Sequence, residues 1–260
     1  MDFGITGKVA IVTGGSSGIG KAIAQAFHDE GGIIIINGRD EAKLMAACAD
    51  IGPRAHGIVA DLAKPDGAGI LNAFAKKFGD VEYLVNNIGI FESQDFFEIP
   101  DARWHEFFEA NVMTGVRITR AVMKDMLARD SGSIVFISSD AGVRGIPWMA
   151  HYAMTKAAQF GVSRSLAELA KGTNVRVNSF LPGPTATDSV QTYFGGIAEQ
   201  EGKTVNDVMT GYFRDHEPSS LIQRLIDPAM HGRAVVALAA NPAMTGTAQR
   251  CDGGIIRSSI

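Results

Sequence analysis

Tyr152 and Lys156 stand four residues apart in HYAMTKAA (151–158). In a helix that spacing puts both side chains on one face, where they meet a ligand together. A free phenol titrates at about 10 and a free ammonium at about 10.4, so neither moves protons well near neutrality. A neighbouring ammonium favours the phenolate, and a general acid–base works best when its pKa lies near the operating pH. A fall of about 2.5 pK units requires roughly 3.4 kcal/mol. Unit charges about 4 Å apart, at an effective dielectric of about 20, interact by about 4 kcal/mol. The pair is therefore expected to present a phenol of lowered pKa. The competing reading is an ordinary polar helix face, on which such pairs arise by chance. His151 projects elsewhere on the helix and is expected to be a surface or interface histidine.

A second cluster, TGGSSGIG (13–20), follows an apolar run and opens an alanine-rich segment. Gly14 permits a tight turn. Gly18 and Gly20 let backbone amides approach a pyrophosphate at a helix N-terminus, and Ser16, Ser17 and Ile19 belong to the same turn. The spacing G-x-x-x-G-x-G is a variant of the dinucleotide fingerprint, and its context of strand then helix is the one that fingerprint needs. After the next strand the chain reads NGRDE (37–41). Gly38 stands where an acid would bind the ribose of NAD. Arg39 follows and can pair bidentately with a 2′-phosphate, and Asp40 reads as a helix N-cap. NADP(H) is thus favoured over NAD(H), against the plainer reading of Arg39 as a solvated arginine.

The elements that must position these groups alternate. Strands are expected at 8–13, 33–37, 54–60, 81–87, 132–139, 174–181 and 247–254. Helices are expected at 18–31, 41–50, a segment ending at 79, 101–129, 148–171 and 227–241. Most of these strands are apolar throughout, as strands covered on both faces are, and the alternation means βαβ units around a parallel sheet. The polar stretch 184–227 breaks the rhythm after the sixth strand and is read as a substrate lid, or else as a surface loop. No linker or repeat divides residues 1–260, so a single domain is expected.

Composition narrows the function classes. The chain has 260 residues, 46% hydrophobic, and a formal net charge of −4. No basic block offers a nucleic-acid footprint, no run approaches a membrane span, and the N-terminus lacks a signal peptide's apolar core. A cytoplasmic protein is expected. Cys48 and Cys251 are read as buried thiols, and the six histidines show no metal-ligand spacing, so no metal is expected. Candidate substrate-pocket walls are Ile90, Phe91, Val143, Trp148, Tyr193 and Phe194, each equally readable as core packing.

Taken in order, TGGSSGIG, ADL (60–62), NNIG (86–89), Asn111, ISS (137–139), YAMTK (152–156), LPGPTAT (181–187) and DGG (252–254) resemble the short-chain dehydrogenase/reductase family over nearly the whole chain. The resemblance implies an α/β fold, a single doubly wound, Rossmann-type domain with a seven-stranded parallel sheet, helices on both faces, and a homotetramer or homodimer. It implies hydride transfer between a nicotinamide and a ketone, aldehyde or alcohol, with Tyr152 as general acid/base. Ser139, thirteen residues before Tyr152, would orient the substrate oxygen. Asn111 would anchor a water leading to Lys156, and Lys156 would also clasp the ribose. Asp61 and Leu62 would contact the adenine, Asn87 and Gly89 would border the cofactor, and Pro182, Gly183 and Thr187 would hold the nicotinamide. The style is that of 3-oxoacyl thioester reductases and carbonyl reductases. An NAD-dependent secondary-alcohol dehydrogenase and a non-catalytic cofactor sensor remain as rivals. The chain departs from the family's usual pattern at Ile88, where alanine is commoner, and at 227–235, which lacks an acidic pair.

Overall fold

The structure, a computed structural model, describes residues 2–258. Seven strands form one parallel sheet in the order β3-β2-β1-β4-β5-β6-β7: β1 (Val9–Val12), β2 (Ile33–Gly38), β3 (Ala55–Val59), β4 (Val81–Asn86), β5 (Gly132–Ile137), β6 (Val175–Pro182) and β7 (Ala248–Cys251). The helices are α1 (Gly18–Asp29), α2 (Glu41–Ile51), α3 (Gly67–Ala75), α4 (Asp101–Phe108), α5 (Thr114–Ala128), α6 (Ala141–Arg144), α7 (Ala150–Leu169), α8 (Asp188–Glu201), α9 (Val205–Asp215) and α10 (Pro228–Ala240). The expected doubly wound α/β architecture is present. Only β7 is clearly shorter than expected, because Gly253 and Gly254 turn away at φ 66° and 76°.

Helices cover both faces, which explains the unbroken apolar strands. Ala10, Val12, Ile34, Ile36 and Val85 pack with Ile23 and Phe27 of α1, Leu44 of α2 and Val235 of α10. Val9, Ile11, Ile35 and Leu84 pack on the opposite face with Leu71 of α3 and Ile118 and Val122 of α5. Burying each such side chain stabilises the fold by about 1.5–3 kcal/mol. From β1 the chain winds outward to β2 and β3, then returns to β4 on the other side of β1. The loops leaving β1 and β4 therefore diverge, and a crevice opens at the C-terminal ends of the two strands.

Two departures from the expected elements concern that crevice. The run 101–129 is helical throughout, but it widens into a π turn at Glu109–Met113, which carries Asn111. The stretch 184–227 is mostly helix. Thr187 caps α8, Thr204 and Asp207 form a reciprocal capping box on α9, and a bridge from Thr185 to Ile226 pins the base of the excursion. Phe194, Ala198 and Phe213 form its buried side. None of the described helices is long and apolar enough to cross a membrane.

Candidate active site

The glycine turn occupies one end of a cleft of about 860 Å³. Gly14 and Gly18 adopt φ of 63° and 54°, the left-handed region that glycine tolerates. Gly20 is required for space: a Cβ there would meet the Gly14 carbonyl oxygen at 2.6 Å and collide with the Asn87 amide. Ser17 precedes α1, yet its hydroxyl caps none of the helix's amides. Those first-turn N–H groups are left for an anion. Ser16 and Ile19 line the cleft with them. Asn37, which sequence reasoning did not single out, buttresses the turn: its Oδ1 accepts from Gly14 N at 3.1 Å, and its Nδ2 donates to the Ala60 carbonyl at 2.9 Å. Asn87 borders the cleft and donates to the Thr13 carbonyl at 3.0 Å.

Beyond β2, Arg39 and Lys43 line the cleft together. Asp40 is committed to α2, where Oδ1 accepts from Lys43 N at 2.9 Å, as its N-cap position predicts. Asp61 and Leu62 line the wall at the end of β3. On the opposite side Pro182 ends β6, and Thr187 lies 3.3 Å from where a Cβ on Gly18 would sit. Gly183 serves packing: its amide donates to the Cys251 carbonyl at 3.2 Å, and a Cβ there would meet the Asp252 backbone at 2.7 Å. A dinucleotide thus finds phosphate donors at one end and a wall of mixed polarity along its length.

Tyr152 and Lys156 enter the other end from α7, with Gly89 opposite, where a Cβ would sit 3.3 Å from Lys156 Nζ. Lys156 is buried and donates to the Ile137 carbonyl at 2.8 Å. Its ammonium lies 5.6 Å from the centre of the Tyr152 ring. Ser139 is buried beside the phenol. Asn111 acts as a brace: its side chain accepts from Ile90 N at 2.7 Å and donates to the Ile90 carbonyl at 3.0 Å and to Thr155 at 2.9 Å, while its own carbonyl accepts from Gln159 at 2.6 Å.

The electrostatics correct the expected acidity of the phenol. Burial raises the Tyr152 pKa from 10.0 to about 12, with the neighbouring Ser139 hydroxyl working against the rise and the Asp140 charge adding to it. Burial also lowers Lys156 from 10.5 to about 7. The i, i+4 spacing does put the two on one face, but the ammonium turns to a strand carbonyl beside the ring. Desolvation is the leading cause for both groups, and no charge interaction between the two offsets it. Tyr152 is therefore a protonated phenol at neutral pH.

Among the proposed pocket walls, Ile90 and Phe91 line the cleft, and Phe91 meets the Tyr152 ring edge-on at 6.5 Å. Phe194 is instead core of the α8–α9 unit, 5.2 Å from Tyr212. Val143, Trp148 and Tyr193 are exposed and lie outside the cleft wall; Trp148 packs on His216 at 5.8 Å. His151 is also corrected: it is fully buried, 4.0 Å from Phe107 and 6.0 Å from Trp104. Cys48 and Cys251 are half-buried free thiols.

The sequence pattern of short chain dehydrogenases matches residues 8–196. The chain belongs to this family. A relative, the oxidoreductase YvrD of Bacillus subtilis, is 43% identical over 99% of this chain and 100% of its own length. The 3-oxoacyl-(acyl-carrier-protein) reductase FabG of Vibrio cholerae is 31% identical over 96% of this chain and 98% of its own. Among solved structures, L-sorbose reductase from Gluconobacter frateurii, complexed with NADPH and L-sorbose, superposes with a TM-score of 0.92 at 30% identity, covering 99% of this chain and 100% of the other. The chain is thus a short-chain oxidoreductase of carbonyl and alcohol groups.

This dehydrogenase also holds charged residues near Ser139 that sequence reasoning missed. Asp140, Arg144 and Glu217 form a linked, largely buried set, with Arg144 bonded to both carboxylates. Burial opposes the charge on Arg144, but the bonds to Glu217 and Asp140 outweigh it and hold its pKa above the usual value. The i, i+4 spacing of Asp140 and Arg144 was a readable signal; Glu217, from beyond α9, had none.

Proposed function

We propose that this oxidoreductase uses NADP(H) to reduce a small ketone or aldehyde to the alcohol, with Tyr152 as the proton donor. The observation that carries the reading is the placement of Tyr152 and Lys156 in the same cleft as the glycine turn, with Ser139 buried beside the phenol; the serine that lines the cleft itself is Ser138. A nicotinamide cofactor supplies the hydride when bound. The protein's own groups handle the oxygen. Tyr152, held protonated by burial, donates to the oxygen as negative charge grows there, and Ser139 supplies a polar contact to the same atom. Lys156, lowered to about 7 and 5.6 Å from the centre of the phenol ring, is assigned to re-protonate the phenol or hold a ribose hydroxyl. Asn111 fixes the Ile90 backbone and so sets the wall facing the substrate.

Support for NADP(H) comes from the far rim. Arg39 and Lys43 offer two cations there, and the nearby carboxylate of Asp40 is taken up by its helix. NADPH is also the cofactor in the L-sorbose reductase complex. The helical excursion α8–α9 is read as the substrate lid, since Ser189 and Thr192 of α8 line the cleft. The exposed Phe96, Phe97 and Phe108 offer an apolar face of the kind a second copy covers, consistent with a homo-oligomer.

A panel of keto sugars, 3-oxoacyl thioesters and simple ketones, assayed with NADPH and NADH by loss of reduced-nicotinamide absorbance, tests the reading. Turnover of at least one carbonyl, lost in Tyr152→Phe while NADPH still binds, is the expected result. A Tyr152→Phe enzyme with wild-type turnover would overturn it.

A further inference from the structure

Behind Ser139 lie two carboxylates that proton transfer from Tyr152 does not use. Asp140 is 5% exposed and Glu217 is 1% exposed. Ser139 donates its hydroxyl hydrogen to Asp140 Oδ1 at 2.9 Å. The other Asp140 oxygen accepts from Arg144 Nε at 2.7 Å, and Arg144 Nη2 donates to Glu217 Oε1 at 2.6 Å. Tyr212 donates to the same Glu217 oxygen at 3.2 Å. The formal charges of the three groups leave an excess of one negative charge beside the proposed oxygen site. A buried ion set of this kind is not explained by stability alone, because apolar side chains of similar volume would hold the loops as well or better.

A serine hydroxyl has one hydrogen. While that hydrogen goes to Asp140, the Ser139 oxygen is an acceptor, and Ala141 N already donates to it at 3.1 Å. The oxygen can then receive the Tyr152 hydroxyl or an alcohol product. To steady a growing negative charge, the same hydrogen must swing from Asp140 to the substrate oxygen. Without Asp140 the hydroxyl has no fixed direction, so its oxygen no longer faces the phenol and its hydrogen no longer starts from one defined position. Arg144 binds the opposite carboxylate oxygen and draws charge away from Oδ1, while Glu217 fixes Arg144 from its other side.

We propose that Asp140 is a positioning residue that sets the direction of the Ser139 hydroxyl, with Arg144 and Glu217 holding it in register and moderating its pull on the hydrogen. The inference rests on the reading of Ser139 and Tyr152 as the groups that meet the substrate oxygen.

The test is a double-mutant cycle of Ser139→Ala and Asp140→Ala, with Asp140→Asn alongside, in carbonyl reduction with NADPH. Asp140→Ala leaves Arg144 and Glu217 as a balanced pair, so the fold is expected to persist; should it fail, Asp140→Val refills the volume and runs the same cycle. Asp140→Ala is expected to lower kcat about 10- to 100-fold with KM for NADPH within about 2-fold, the scale of one charge-assisted hydrogen bond. Asp140→Asn keeps an acceptor oxygen and should recover about 5-fold or more of that loss, and the double variant should be no slower than Ser139→Ala. Independent, multiplying losses, or an asparagine no better than alanine, overturn the proposal. If Ser139→Ala itself turns over like the wild type, the catalytic reading underneath fails instead, and the two failures are told apart by that single variant.

Discussion

Lys156 should be a residue that the protein would be more stable without. It is 4% exposed, and its ammonium rests on one carbonyl, that of Ile137 at 2.8 Å. Burial lowers its pKa from 10.5 to about 7. The unfolded chain therefore binds more protons than the fold between about pH 7 and 10.5, and stability contributed by this group rises with pH across that window. At about pH 7 the deficit is about 4 kcal/mol, from roughly three pK units at about 1.36 kcal/mol each. Lys156→Met fills similar volume with no charge. It forfeits the hydrogen bond and leaves the Ile137 carbonyl short of a partner, a loss of about 2 kcal/mol. The net gain is about 2 kcal/mol, or a Tm rise of about 5 °C in a chain of this size. Thermal unfolding at about pH 7 and about pH 9, followed by circular dichroism, measures it. The variant should unfold higher at the lower pH, the gap should close at the higher pH, and carbonyl turnover should be lost. A variant that melts below wild type at about pH 7, or a wild type whose stability is flat between the two pH values, would refute the argument.

Three further outcomes follow from the same geometry. Gly20→Ala drives a methyl group into the Gly14 carbonyl and the Asn87 amide; NADPH affinity, read by fluorescence titration, should fall about 10-fold or more as the turn is displaced. Arg39→Ala should weaken NADPH binding about 10- to 100-fold and leave NADH within about 2-fold, since only the former carries the 2′-phosphate; equal losses would remove Arg39 from that role. His231 is fully buried with Nε2 2.9 Å from the Thr185 hydroxyl, and burial lowers its pKa from 6.5 to about 4. The unfolded chain binds the extra proton between those values, so acidification from about pH 6.5 to 4 should cost about 3 kcal/mol, and His231→Gln should flatten that part of the denaturation profile.

The sheet was legible because its inner strands are buried on both faces, which leaves runs such as Ile33–Ile36 with no polar interruption; the edge strands β3 and β7 are only partly covered. The glycine turn was legible because Gly14, Gly18 and Gly20 answer backbone and steric demands that few other residues meet. Helices α8 and α9 were obscured by Gly195, Gly196 and Gly211 and by an apolar side reduced to a few residues. Their caps were in plain sight, in Thr187 and in the Thr204–Asp207 pair. The burial of His151 was not, since Trp104 and Phe107 reach it from another helix.

The same distinction governs the proposed chemistry. Spacing places Tyr152 and Lys156 on one helix face, but the partner that takes the ammonium, the Ile137 carbonyl, arrives from β5, and the hydroxyl beside the phenol comes from Ser139 in the loop that follows. A local pattern can therefore name the pair without fixing the sign of its pKa shifts. That sign depends on how much water the neighbours exclude, and here both groups are driven toward their neutral forms. A neutral phenol beside a lysine that titrates near neutrality is a donor with a nearby source of replacement protons, an arrangement suited to delivering a proton to a nascent alkoxide. Had the lysine been solvated, its charge would have been free of this burial cost, but water would also have reached the oxygen on which Tyr152 and Ser139 must act. The dryness that makes Lys156 destabilising is the same dryness that lets a few fixed dipoles matter.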